Sequence, residues 1–169
     1  MPEASKPVYL VDPDSDPVVV RIEGRANFQN SGCLRDFIGE MLRRGKTSFV
    51  LDFQHCAGMD STFLGVLAGA ALELRRIAPQ GRLTVARPGQ RNLELIRSLG
   101  LHRLLTVDPG AGTVATDHCD TPLENCDSGA TANSKLVLEA HENLVNANEA
   151  NRGKFQDVLT FLRQSMGER

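Results

Sequence analysis

The sequence has no tryptophan and one tyrosine, and its 19 basic residues are outnumbered by 21 acidic ones, for a formal charge of -2. That composition gives no basic, aromatic-studded face, so direct nucleic-acid binding is not expected. No segment approaches the roughly 18 to 20 uninterrupted apolar residues that span a bilayer, and MPEASKPVYL has neither a basic n-region nor an apolar h-region. A soluble, cytoplasmic chain without a membrane partner is the expectation. There is no GxxxxGK[ST] loop, and the Gly24 to Asn30 stretch offers no glycine-rich cradle, so no nucleotide or other cofactor is expected. Cys33, Cys56, Cys119 and Cys126 lack CxxC spacing in a chain large enough to fold without staples, which predicts reduced thiols. His118 beside Cys119, with Cys126 further on, hints at a metal site, but no second close ligand pair completes a tetrahedron and no metal is expected.

What is present is a 169-residue chain, 41% hydrophobic, enough for one sizeable core plus an appendage. VYLV (Val8 to Val11) and VVVRIE (Val18 to Glu23) read as strands around the turn-like DPDSDP, with Gly24 breaking the second. Asn27 is a candidate cap for a helix carrying Phe28, Leu34, Phe37, Ile38, Met41 and Leu42 and ending near Gly45. SFVLDF (Ser48 to Phe53) has the near-continuous apolar pattern of a strand buried on both faces, interrupted by Asp52. A second amphipathic helix spans Ser61 to Ile77, followed by the strand RLTVA (Arg82 to Ala86), a short helix from Asn92 to Leu99 and a last strand from Leu104 to Val107. Alternating strands and helices predict an α/β layer.

The strand-to-helix junction GMDSTFLG (Gly58 to Gly65) carries the polar residues that need an explanation. In the simplest account Asp60 or Ser61 caps the helix. A hydrolase elbow would present Ser61 at the sheet edge as a nucleophile, yet Met59 and Phe63 stand where G-x-S-x-G has glycines. His55, His102, His118 and His141 are candidate bases, and nothing in the sequence assigns one of them to Ser61. No catalytic residue is expected.

The stretch LDFQHCAGMDSTFLGVLAGAALELRR, Leu51 to Arg76, resembles the signature of the STAS domain, specifically that of the bacterial anti-sigma factor antagonists. Their pattern is an apolar strand ending in Asp, a loop, then Met-Asp-Ser-Ser/Thr-Gly-Leu-Gly before a helix. The resemblance spans roughly Val8 to Val107 and implies a STAS-like mixed sheet of four to five strands with helices packed on it. It further implies phosphorylation of Ser61 by a serine-kinase anti-sigma factor, with Thr62 the less favoured acceptor, and reversal by a PP2C-type phosphatase. Asp52, Met59, Asp60, Ser61, Thr62 and Phe63 would form the partner-binding surface. Two roles stay open for the carboxylates: Asp52 and Asp60 help to hold the Ser61 hydroxyl or backbone, or Asp52 ends its strand and caps the loop. The implied function is control of transcription by partner switching, without enzymatic activity. The alternative within the fold is a STAS scaffold subunit of a transporter-associated or signalling complex in which Ser61 is a cap. Two residues depart from the pattern: Phe63 replaces a glycine and Gly58 a bulky residue. A phenylalanine at that place either enlarges an apolar docking surface or hinders a kinase.

Three segments are expected: a STAS domain over 1–107, a flexible linker over 108–133 rich in Gly, Thr, Asp, Ser and Ala, and a separate C-terminal helix over 134–166. In that helix Val137, Leu144, Phe155, Val158 and Leu162 fit three- and four-residue steps if His141, Asn148 and Asn151 share the seam. Self-association or capture of a partner helix is favoured over packing back on the domain, since simple back-packing does not require a long linker.

Overall fold

The structure, a computed structural model, describes residues 8–78, 80–108, 119–124 and 129–167. Its strands are β1 (Tyr9–Asp12), β2 (Val18–Ala26), β3 (Ser48–Met59), β4 (Arg82–Ala86), β5 (Thr106–Asp108) and the two-residue β6 (Thr121–Pro122). Its helices are α1 (Ser31–Arg43), α2 (Ser61–Ile77), α3 (Gln90–Ser98), α4 (Ala130–Ala147) and α5 (Asn151–Ser165), with a 3-10 turn over Leu101–Arg103. The sheet order is β5-β4-β3-β2-β1-β6. β2 through β5 pair in parallel, while β1 runs antiparallel to both β2 and β6. This is the expected α/β mixed sheet, with one more edge strand than anticipated.

β3 lies at the middle of the parallel set because its first half can be covered on both faces. Phe49, Val50, Leu51, Asp52 and Phe53 are all buried. Pairing with β4 stops at Asp52, while pairing with β2 continues through two register shifts to Ala26 opposite Met59. The expected loop between Asp52 and Met59 is therefore strand, and Gly24 stays within β2 instead of ending it. Irregular pairing bends a strand without breaking it. Asn27 belongs to a turn ahead of α1, which begins at Ser31, and that leaves Phe28 outside the helix and exposed.

The cysteine expectation needs one correction. Cys33 is disulfide-bonded, whereas Cys56 and Cys119 are free. Sequence spacing reports motif-type pairs and not which cysteines a fold brings within bonding distance. Burial raises the Cys56 thiol above its ordinary range and pushes Cys119 up to about 11. His118 and Cys126, the other members of the weighed metal cluster, lie outside the described residues.

The C-terminal segment differs most from expectation. It starts as a helix at Ala130 and is broken at Asn148, giving a hairpin of α4 and α5 in place of one helix. Part of the expected linker, Thr121–Pro122, pairs with β1. The hairpin lies back on the domain: Leu144 is fully buried in the main core and Phe155 packs against it. Leu138, Val145 and Leu159, with Leu162 and Met166, form a second, smaller cluster between the two helices. Among the described residues no helix is long and apolar enough to cross a membrane.

Candidate functional site at the start of α2

The site begins with a cap. Asp60 has extended backbone angles, and its two carboxylate oxygens each accept a backbone N–H at 2.9 Å, from Phe63 in the first turn of α2 and from Phe28 in the turn before α1. One carboxylate thus joins two segments 32 residues apart and complements the positive end of the helix. Asp60→Ala is expected to lower stability in urea unfolding by about 1 to 2 kcal/mol. Asp60→Asn, which keeps one acceptor oxygen, should retain at least half of that; an Asn variant as unstable as the Ala variant would contradict the bridging role.

Beneath the cap the floor is aromatic. Phe63 is fully buried, stacked on Tyr9 at 6.4 Å and edge-on to Phe53 at 6.0 Å. The expectation that Phe63 contributes to a docking surface is therefore corrected: at the third position of α2 the ring points to the sheet, where the core takes it. Burial pushes the Tyr9 phenol far above its ordinary range, and its hydroxyl donates to Asn30 Oδ1 at 2.8 Å. Thr62 is also buried, 4% exposed, whereas Met59, Asp60 and Ser61 are half-buried. Of the two hydroxyls, Ser61 is the accessible one.

Asp52 does not reach Ser61. It is 1% exposed and paired with Arg87, whose Nε donates to Oδ1 at 3.1 Å and whose Nη2 donates to Oδ2. The same carboxylate accepts the backbone N–H of Gln54. Asp52 ends the regular pairing of β3 with β4, and neither it nor Asp60 holds the Ser61 hydroxyl.

The hydroxyl is held by His141, from α4. Ser61 Oγ and His141 Nε2 are 2.8 Å apart, and His141 Nδ1 is 2.7 Å from the Val137 carbonyl. A carbonyl only accepts, so the proton sits on Nδ1, and in the neutral ring Nε2 accepts the Ser61 hydroxyl proton. His141 is 4% exposed and backed edge-on by the Phe155 ring at 5.0 Å. A serine and a histidine in this relation match the first two members of a nucleophile–base–acid triad, but a backbone carbonyl stands where the carboxylate would orient the ring. Two clefts beside α4, one against α1 and α2 and one near Phe28 and Leu162, are lined by described residues other than Ser61 and His141.

α4 comes exceptionally close to α2. A Cβ on Gly65 would lie 2.2 Å from the Ala140 carbonyl oxygen, and one on Gly69 would lie 2.4 Å from Asn143 Nδ2. The Asn143 amide donates to the Gly65 carbonyl at 3.2 Å, and Arg35 on α1 bridges to Glu139 at 2.8 Å. Asn151 donates to the carbonyls of Leu99 and Leu144 at 2.9 and 2.8 Å. His141 and Asn151, expected on an intermolecular seam, are thus engaged within the chain, and Asn148 caps the end of α4. One signal for this cover is present in the sequence: residues 61–72 contain no charged side chain, and a helix apolar all round is buried all round.

The N-terminus of α2 thus carries, in an α/β domain, a capping carboxylate and a hydroxyl held by one hydrogen-bonded partner. The chain belongs to the STAS domain family: residues 10–106 match the family model described as "Mlab, STAS domain". Among solved structures, the anti-sigma factor antagonist SpoIIAA in its unphosphorylated form is 20% identical, with 64% of this chain and 91% of that one covered and a TM-score of 0.49. The Bacillus cell fate determinant SpoIIAA in its phosphorylated form is 22% identical, covering 59% and 89%, with a TM-score of 0.49. A Thermotoga maritima protein provisionally assigned as an anti-sigma factor antagonist is 18% identical, covering 63% and 86%, also with a TM-score of 0.49. No curated protein matches the sequence at a significant level.

Proposed function

We propose that this chain is an anti-sigma factor antagonist that binds a serine-kinase anti-sigma factor while Ser61 is unmodified and releases it once Ser61 is phosphorylated. The observation carrying this reading is the placement of Ser61 directly after the Asp60 cap, as the half-buried hydroxyl of the Met59-Asp60-Ser61 motif, with Thr62 withdrawn into the core. In the kinase step, Ser61 Oγ bonds to the γ-phosphorus of a nucleoside triphosphate held by the partner. The bond from that phosphorus to the bridging oxygen breaks, the nucleoside diphosphate leaves, and the hydroxyl proton passes to a base. A PP2C-type phosphatase returns the hydroxyl by hydrolysis. The product carries about -1.5 to -2 charges at neutral pH, which the N-terminus of α2 tolerates. A partner interface shaped for a hydroxyl does not: an unpaired buried charge costs several kcal/mol, and each ~1.4 kcal/mol is tenfold in affinity.

A second reading, a STAS scaffold without phospho-switching, is favoured by the Ser61 to His141 hydrogen bond, which gives the hydroxyl a structural role. Mass spectrometry of the protein from its own cells separates the two. Phosphate on the peptide containing Ser61, absent from Ser61→Ala, is expected, together with a kinase captured by Ser61→Ala and not by Ser61→Asp. A hydroxyl that stays unmodified under every growth and stress condition would leave the scaffold reading.

A further inference from the structure

Building on the phosphorylation reading, we infer that the α4–α5 hairpin is an intramolecular cover of the Ser61 surface, and that a phosphate on Ser61 and the docked hairpin exclude one another. The hydroxyl that would carry the phosphoryl group is already engaged by the hairpin. His141 Nε2 lies 2.8 Å from Ser61 Oγ, and the ring is 4% exposed, with Phe155 packed behind it. The chemistry is also opposed. As long as the ring carries its single proton on Nδ1, held by the Val137 carbonyl, Nε2 presents a lone pair toward Ser61, and a phosphate dianion presents only acceptor oxygens.

The hairpin is suited to leaving as a unit. Leu138, Val145 and Leu159 bury one another between α4 and α5, apart from the main core, so part of its burial does not depend on docking. Its contacts with the domain are mixed. Leu136, Ala140 and Leu144 are buried, but around them lie Ser61 to His141, Asn143 to Gly65, Arg35 to Glu139, Asn151 to Leu99, and Lys154 to the Ser98 carbonyl at 2.5 Å. Such polar content is typical of interfaces within a chain that open. The face freed on α2 is floored by Gly65 and Gly69 and fits a partner helix presenting a small side chain, as α4 presents Ala140. The docked hairpin denies that face, and Ser61, to a kinase.

The test uses the full chain with phosphoserine installed at position 61 during translation, compared with the unmodified chain and with Ser61→Ala by amide hydrogen exchange. In the phosphorylated chain, exchange across α4 and α5 should accelerate on the order of 100-fold, within the range of coupling between linked sites, while β2, β3 and β4 change little. Ser61→Ala, which removes one hydrogen bond and adds no charge, should accelerate it less than about 10-fold. Unchanged protection of the hairpin would overturn the exclusion. Increased protection would also overturn it, by showing that His141 pairs with the phosphate as an imidazolium. Loss of protection extending into β3 would mean that the phosphate is incompatible with the fold itself, and would equally sink the proposal. Absence of phosphate on Ser61 in cells is a separate result that bears on the phosphorylation reading and not on this linkage.

Discussion

Arg87→Ala should destabilise the domain by about 3 kcal/mol, with the loss arising mainly from the charge left behind. Asp52 is 1% exposed at the point where β3 parts from β4, and Arg87 is the cation that meets it. Removing one member of a buried pair typically costs 3 to 5 kcal/mol; the figure here is set at the low end of that range, ~3 kcal/mol, because the Arg87 side chain is 32% exposed and water shares in the pairing. Arg87 also holds a left-handed backbone (φ 52), a conformation that costs a non-glycine residue roughly 1 kcal/mol or more, so the native pair offsets strain as well as desolvation. The decisive comparison is the double variant Asp52→Asn with Arg87→Ala. It should recover at least about 1 kcal/mol relative to Arg87→Ala alone, since Asn keeps an acceptor for the Gln54 N–H and carries no charge. Equilibrium urea unfolding reads both values, and a double variant less stable than the single one would refute the unpaired-charge account.

Gly65→Ala should detach the hairpin. In a helix interior, alanine is ordinarily favoured over glycine by about 1 kcal/mol. Here the added Cβ would lie 2.2 Å from the Ala140 carbonyl oxygen, 2.5 Å from its carbon and 2.7 Å from its Cα. All three are backbone atoms, so no side-chain rotation relieves the clash and α4 itself must move. Moving α4 loosens Ser61 to His141 and Asn143 to Gly65 together. The expected outcome is a net loss of about 2 kcal/mol, as overpacking commonly gives, with tryptic cleavage at Arg152, Lys154 or Arg163 appearing before cleavage in the sheet. Gly39→Ala is the control: its Cβ meets only the Arg43 guanidinium, at 3.7 Å, and it should be neutral or stabilising by up to ~1 kcal/mol. Equal resistance of the hairpin in the Gly65→Ala and native chains would contradict the close docking of α4.

Much of this protein was determined by sequence alone, where the information is local. The span of α2 is the expected Ser61 to Ile77 and that of β4 the expected Arg82 to Ala86, because hydrophobic period, a capping residue and a following breaker act over a few residues. The junction residues Met59, Asp60 and Ser61 were legible as a motif for the same reason. What tertiary structure alone decided is which side chains meet. Phe63 was expected at a surface and lies between Tyr9 and Phe53, since its direction depends on which face of α2 the sheet takes. For Asp52 the sequence left open a place beside Ser61 or at the end of its strand; it ends the strand pairing with β4 and is bound by Arg87, 35 residues away. His141 is 80 residues from Ser61, and no spacing rule selects it from four histidines. The period of α4 and α5 could show that they bury a face, but not that the face is Gly65 and Gly69 of the same chain, because close approach depends on the shapes of both helices. Local pattern specifies the elements, and long-range complementarity specifies how the site is covered.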